Sequence, residues 1–251
     1  MDINLRVYED ATVTLKSRGR EVTKNVYSAE GIELIDTVSL KQAAQFKRMY
    51  NFSWVGVKII QFPLDVLCVQ QLIAKVRPTL IIETGIAHGG SLIFSASMLK
   101  LLDIDGRVFG VDVDIRNHNR EIIEHHPLNE YITMLEGNSI SDEIISSLRN
   151  EIRQNDRVLV ILDSNHSYEH VRAELDLYSD FVSQGSYLIT MDGALGFVGD
   201  IPRGNEQAFI DNPVPAIRQF LTNNADFVLD SIFEDNGTTS SPYGALYRQK
   251  K

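Results

Sequence analysis

Compact apolar runs alternate with amphipathic stretches through most of the chain. Residues 80–84, 108–112, 131–135, 158–163 and 186–191 have the length and apolar content of strands. The first, built on Leu80, Ile81 and Ile82, is continuously apolar, as expected of a parallel strand buried on both faces. Leu92, Ile93, Ala96, Leu99 and Leu102 recur at three- and four-residue spacing, which predicts a helix over 92–102. Further helices are expected over 116–125, 141–153, 168–182 and 214–223, and two last strands over 227–232 and 245–248. Ser141 followed by Asp142 and Glu143 marks a helix start, because a capping oxygen and early acids suit the N-terminal dipole. Strands alternating with helices predict an α/β fold, a doubly wound, seven-stranded, mostly parallel sheet of Rossmann-like type.

Upstream, the stretch WVGVKIIQFPLD leads into a helix expected over 63–76, with Pro63 in its first turn. Residues 1–60 are less regular, and the strand tendency of 7–15 is offset by charges. They are expected to form an arm or cap on a main domain spanning 61–251. Trp54 and Phe62 read first as packing residues and second as part of a lid over a pocket.

Composition narrows the partners. The 251 residues, 43% hydrophobic and 23% charged, are enough to bury a full core. The 24 basic and 34 acidic side chains leave a net charge of -10, which argues against nucleic acid or an anionic membrane surface as a partner. The single cysteine, Cys68, sits among apolar neighbours and reads as a buried thiol of a cytoplasmic protein. No apolar run of membrane-spanning length is present, and the start MDINLRVYEDATV lacks a signal core.

The segment IIETGIAHGGS, 81–91, concentrates the candidate chemistry. A strand, a glycine turn and a helix start place several backbone N–H groups beside whatever enters the turn. Gly85, Ala87 and Gly90 stand where a dinucleotide-binding turn has its three glycines, but Ala87 adds a Cβ where pyrophosphate must approach. Glu83 would repel pyrophosphate and attract an amino group or a sulfonium-bearing amino acid. A plain βα connection explains the glycines equally well.

In a doubly wound sheet, ligands gather at the carboxyl ends of the strands. Those ends carry Glu83, Asp112 with Asp114, Asp163 and Asp192, each of which could instead cap a helix or face water. Asp112 lies 22 positions beyond Gly90, the spacing of an acid that accepts from both ribose hydroxyls. Ser139 is placed to meet an adenine edge or to cap a helix. Asp163 and Asp192 could share a hard cation such as Mg²⁺, and without one they would repel. His166 suits a general base at neutral pH; its other reading is a solvent-facing loop histidine, as His170 is expected to be.

The stretches WVGVKIIQFPLD, RPTLIIETGIAHGGSLIFSAS, VFGVDVDIR, ILDSNHSYEHV and SPYGALYR span 54–248. Over this range the chain resembles the cephalosporin hydroxylase-type family of class I S-adenosylmethionine-dependent methyltransferases, whose relatives include O-methyltransferases acting on macrolide sugars and rhamnose. The resemblance implies methyl transfer from S-adenosylmethionine to a hydroxyl of a small molecule, a sugar or secondary metabolite, with Mg²⁺ assistance and a homo-oligomeric assembly. It places Glu83, Gly85 and Gly89 around the methionine moiety, Ser91 on its carboxylate, Asp112 on ribose and Ser139 at adenine, with Ala87 and His88 as further cofactor contacts. It makes Asp163 a cofactor contact and metal ligand, Asp192 the second metal ligand, and His166 the base.

One departure stands out. The family commonly ends its fifth strand in two adjacent acids, whereas here the order is Met191, Asp192, Gly193. A thioether is a poor ligand for Mg²⁺ and glycine offers none. Nor does the sequence supply the two-histidine, one-carboxylate iron set that a hydroxylase would need. Two other readings stay open: a nicotinamide-dependent (NAD) oxidoreductase, which shares the glycine turn and Asp112, and a non-catalytic cofactor-binding subunit, suggested by the incomplete acid pair. The acceptor is expected near the 193–212 loop with Phe197, Arg203, Asn205 and Gln207, together with the N-terminal arm; Arg203 either meets an anionic group or faces solvent.

Overall fold

The computed structural model describes residues 2–6, 11–17 and 20–250. Its central sheet contains β1 (Leu80–Thr84), β2 (Arg107–Asp112), β3 (Ile132–Glu136), β4 (Val158–Leu162), β5 (Tyr187–Thr190), β6 (Phe227–Leu229) and β7 (Ala245–Arg248). The spatial order is β6-β7-β5-β4-β1-β2-β3. β7 runs antiparallel to both of its neighbours, and the other pairings are parallel. β1 and β4 are buried at every position, so both faces of the sheet need cover.

Helices supply it. α2 (Pro63–Val76), α3 (Gly90–Leu101) and α4 (Asn117–Glu124) lie on one face, where Leu72, Ile93 and Ile123 pack with Ile81. α5 (Asp142–Glu151), α6 (Tyr168–Tyr178) and α8 (Pro213–Asn223) cover the other, with Leu148, Leu175 and Ile217 against Ile82. Adjacent residues of β1 thus point into opposite layers, the period-two alternation of a strand. Cys68 is 1% exposed, and burial pushes its thiol up to about 11. No described helix is long and apolar enough to cross a membrane.

Several element ends differ from expectation by a residue or more, among them three at α6, α3 and β6. α6 stops at Tyr178 rather than 182; Phe181 and Val182 remain in the core but sit in a turn. α3 begins at Gly90, ahead of the apolar pattern at 92. β6 ends at Leu229 because Asp230 turns the chain, its Oδ1 accepting from the Ile232 N–H at 3.1 Å, and the short α9 (Ile232–Asp235) follows.

The N-terminal segment is more regular than its charges predict. Asp2–Arg6, Thr12–Ser17 and Arg20–Asn25 form an antiparallel meander, followed by α1 (Ala29–Gln45). Part of the 7–15 strand tendency, residues 7–10, lies outside the described residues. Charge does not prevent such a meander, because an antiparallel ladder tolerates a solvated face. Leu40 of α1 packs on Ala194 and Val198 beside the short α7 (Leu195–Val198). The N-terminal segment thereby reaches the carboxyl edge of the sheet. Trp54 packs edge-on against Phe94 with centroids 5.0 Å apart and donates to Ser97 Oγ at 2.8 Å.

Candidate active site

Strand order reverses between β4 and β1, which makes the crevice at their carboxyl ends the ligand position of the fold. Glu83, at the end of β1, is fully buried. Its Oε1 accepts from Ser91 Oγ, and its Oε2 has no hydrogen-bond partner among the described residues. Burial raises its carboxyl to about 7, against the opposing Ser91 hydrogen bond. The chain then turns through Gly85 and Gly89, with φ of 89° and 87°. A Cβ at Gly85 would stand 2.0 Å from the Asp163 carbonyl oxygen, so the turn runs directly against the end of β4.

Asp112 organises this turn. Its Oδ2 accepts from the N–H groups of Ile86 at 2.8 Å and Ala87 at 3.1 Å, and its Oδ1 from that of Asp114 at 3.1 Å. Asn119 of α4, which no sequence pattern marks, donates to the Ala87 carbonyl at 2.7 Å and lies 3.4 Å from His88 Nδ1. It is a buried polar residue on an amphipathic helix, recognisable only once that helix is docked.

Beside the turn is a cavity of about 390 Å³, within the usual range for small-ligand sites, lined by Gly85, Asp112, Ser139, Ser164 and His170 among others. Ser139 does not cap α5; Ser141 does, accepting from the Ile144 N–H. Ser139 Oγ instead lies 3.0 Å from His170 Nε2, and Ser164 Oγ lies 3.2 Å from the same nitrogen. Ser164 donates to the buried Glu174 at 2.7 Å, and Tyr178 OH donates to the Ser139 carbonyl at 2.8 Å. The expectation that His170 faces solvent is therefore corrected: its side chain is 18% exposed and lines the cavity. The i,i+4 spacing to Glu174 was visible in the sequence, but Ser139 comes from another strand end.

Above the turn, Asp163, His166 and Asp192 converge, with one ligand atom of each within 4.8 Å of the others. His166 Nε2 is 3.2 Å from Asp192 Oδ2. The Asp163 carboxyl is held well above the usual carboxylate range by loss of solvent, then by repulsion from Asp192 and Glu83, with a Gln61 hydrogen bond opposing. Asp114, the extra acid after β2, is not part of this group; its side chain is 74% exposed and points to Arg116.

The fifth-strand departure resolves structurally. Met191 is 1% exposed within the core, where Ser241 Oγ donates to its Sδ at 3.6 Å. A Cβ at Gly193 would come 2.7 Å from the Pro242 carbonyl oxygen. Neither neighbour can present a second acid, and Asp192, at φ 57°, is the residue turned to the site.

Behind it stands Asp65 of α2, fully buried and marked by no pattern in the sequence. It accepts from Thr239 Oγ1 at 2.6 Å, the Ser240 N–H at 2.8 Å and Ser240 Oγ at 2.6 Å, and burial raises its carboxyl to about 6. The adjoining Ser241 Oγ accepts from the Asp192 N–H at 3.3 Å. Arg203 points elsewhere, its backbone N–H and guanidinium meeting Gln45 Oε1 and O at 3.3 and 3.5 Å. Asn205 caps a turn through Gln207 N–H at 3.0 Å.

Residues 46–249 match the family described as Rhamnosyl O-methyltransferase/CmcI. The chain belongs to this family. As a member of the rhamnosyl O-methyltransferase/CmcI family it is an S-adenosylmethionine-dependent O-methyltransferase. A rhamnosyl O-methyltransferase of Mycobacterium tuberculosis is 27% identical over 201 residues, 78% of each chain. An apo structure of CmcI superposes with a TM-score of 0.56 at 21% identity, over 80% of this chain and 78% of that one. A CmcI structure with Mg and SAM gives 0.55 at 19% identity over the same shares. The superpositions show the shared class I methyltransferase fold, and the nicotinamide reading finds no support.

Proposed function

We propose that this rhamnosyl O-methyltransferase/CmcI family member methylates a hydroxyl of a small molecule, a sugar or secondary metabolite, with His166 as base. The observation that carries this reading is the meeting of Asp163, His166 and Asp192 beside the Gly85–Gly89 turn and the cavity next to it. In that cavity Asp112 would take the ribose and Ser139, with His170, the adenine edge. Gly85, Ala87, His88, Gly89 and Ser91 would surround the methionine end. The unpartnered Glu83 Oε2 is suited to its ammonium group.

The reaction is an in-line displacement. The acceptor oxygen forms a bond to the methyl carbon, the carbon–sulfur bond breaks with its electrons kept by sulfur, and the hydroxyl proton must leave. Alignment in a dry pocket supplies much of the rate, because the sulfonium is already activated. With Nε2 turned to Asp192, Nδ1 of His166 is the nitrogen left to take the proton, and the adjacent carboxylate stabilises the imidazolium so formed.

Asp163 and Asp192 fit a hard divalent cation: they are oxygen donors whose mutual repulsion a cation would relieve. When bound, Mg²⁺ would make a nearby hydroxyl more acidic. Stripping with a chelator should abolish most turnover, Mg²⁺ should restore it, and Asp163→Asn should no longer respond to the titration. An unchanged rate after chelation would leave both aspartates with positioning roles. The test of the whole reading is transfer of labelled methyl from S-adenosylmethionine across a panel of rhamnosides and other hydroxylated acceptors, read as a methyl ether by mass spectrometry. Donor binding without any transfer would favour the non-catalytic reading. Native mass spectrometry of the same protein would show the homo-oligomer expected from the family.

Donor binding should also depend on pH. Glu83 titrates near 7 in the donor-free protein, whereas an ammonium partner requires its carboxylate. Binding is then expected to release a proton and to tighten as pH rises toward 7, by up to about tenfold per unit. Calorimetry in buffers of different ionisation heat reads that proton directly, and Glu83→Gln should remove it. Proton release that persists in Glu83→Gln would assign it to another group.

A further inference from the structure

A second cavity, of about 430 Å³, opens between α1 and the 234–243 segment. It is outside the donor site but shares walls with the rim. Phe197 of α7 lines it, and the Ala194 N–H preceding α7 donates to the Ser240 carbonyl at 2.9 Å. Thr239 lines it too, next to the Ser240–Ser241 pair that seats Asp192. One strip of chain thus borders both the cavity and the carboxylate beside His166.

The chemistry of its lining is one-sided. Ile32, Leu40, Phe197, Pro242 and Tyr243 give it an apolar surface, on which Ile32 and Phe197 are 52% and 41% exposed. All of its charged lining residues are acids, Glu33 and Asp36 from α1 and Glu234 from α9, with no lysine, arginine or histidine among them. Asp36 accepts from Thr238 Oγ1 at 2.6 Å, and Glu234 Oε1 accepts from the Tyr243 N–H. Glu234 Oε2 is buried without a hydrogen-bond partner among the described residues, and a buried acceptor of that kind calls for a donor.

We propose that this cavity is the outer part of the acceptor site and holds an apolar group bearing a protonated amine, so that the acceptor is an amino alcohol or amino sugar rather than a neutral sugar. The inference rests on the methyl-transfer reading of the rim. An ammonium offsets the acidic wall formed by Glu33, Asp36 and Glu234, while its apolar body covers Ile32 and Phe197. A neutral sugar would cover the same surface and leave those charges uncompensated.

Binding of cyclohexylmethylamine and of the isosteric cyclohexylmethanol, followed by ligand-observed NMR and calorimetry on the full chain, tests it. The amine should bind more tightly by about fivefold to tenfold at low salt, the worth of one or two partly exposed charge contacts. Glu33→Gln combined with Glu234→Gln should erase that preference, and Ile32→Arg, at an exposed position, should abolish amine binding. S-adenosylmethionine affinity, measured in the same samples, should not change. In turnover, an aminocyclohexanol should exceed the matching cyclohexanediol in kcat/KM by a similar factor. Equal affinity for the two probes, or amine binding that survives Ile32→Arg, overturns the proposal; amine binding without preferred turnover overturns its assignment to the acceptor. Loss of donor binding in the native chain would instead overturn the methyl-transfer reading.

Discussion

His166→Ala is expected to lower kcat by about 10²–10⁴-fold, the usual range for removing a general base, while donor affinity stays near that of the native chain. The separation follows from geometry. His166 stands at the rim 3.2 Å from Asp192, whereas the cavity proposed for the donor is lined by residues from the ends of β1, β2 and β3 and by Ser164, Asn165 and His170. Single-turnover rates with labelled donor, on any acceptor the native enzyme methylates, measure the first quantity, and calorimetry measures the second. A variant that retains most of its rate would remove His166 from proton transfer. One that loses donor binding as well would make it part of the donor site.

Gly85→Ala should be the most damaging small substitution in the turn. At φ 89° an alanine is strained by about 1–2 kcal/mol in any surroundings. Here its Cβ also meets the Asp163 carbonyl oxygen at 2.0 Å, a contact with main chain that cannot rotate away. Gly56 supplies the control, since it has φ 87° and no atom within 4 Å of the place a Cβ would take. Gly56→Ala should therefore show the backbone strain alone, and Gly85→Ala that strain plus displacement of β1 from β4, about 3 kcal/mol or more in total. For a chain of this size each kcal/mol is worth roughly 2–4 °C in Tm, so thermal unfolding separates the two. Donor binding should fail in Gly85→Ala alone, because the displaced turn carries the N–H groups that Asp112 holds. Equal Tm losses would show that the end of β4 can yield.

The two acids behind these groups illustrate how far pattern reading reaches. Glu83 and Asp163 are both visible as acids that end apolar strands, and both occupy the crevice. The upward shift of their carboxyls was not legible, because it depends on how much water the surrounding layers exclude and on the distance between residues eighty positions apart. Asp65 was not legible at all. It sits in the first turn of α2, where an acid is ordinarily a dipole partner, and only the arrival of Thr239 and Ser240 turns it into a buried clamp. His170 failed for the opposite reason: its helix position suggested solvent, and the neighbour that draws it inward, Ser139, comes from the end of a different strand.

Local periodicity and punctuation were enough to specify the strands, the glycine turn, most helix starts and the row of acids, since each depends on a few neighbouring residues and on the twofold or 3.6-fold direction of side chains. Which of those acids meet was settled by the crossover that puts β4 against β1 and by the left-handed backbone at Asp192. That turn swings one carboxylate toward His166 while Met191 goes into the core. The same holds for the acid-lined cavity against α1, whose walls come from the N-terminal segment and the 234–243 segment. Spatial neighbours far apart in the chain leave no periodic trace in it, and the charge balance of a site is a property of such neighbours.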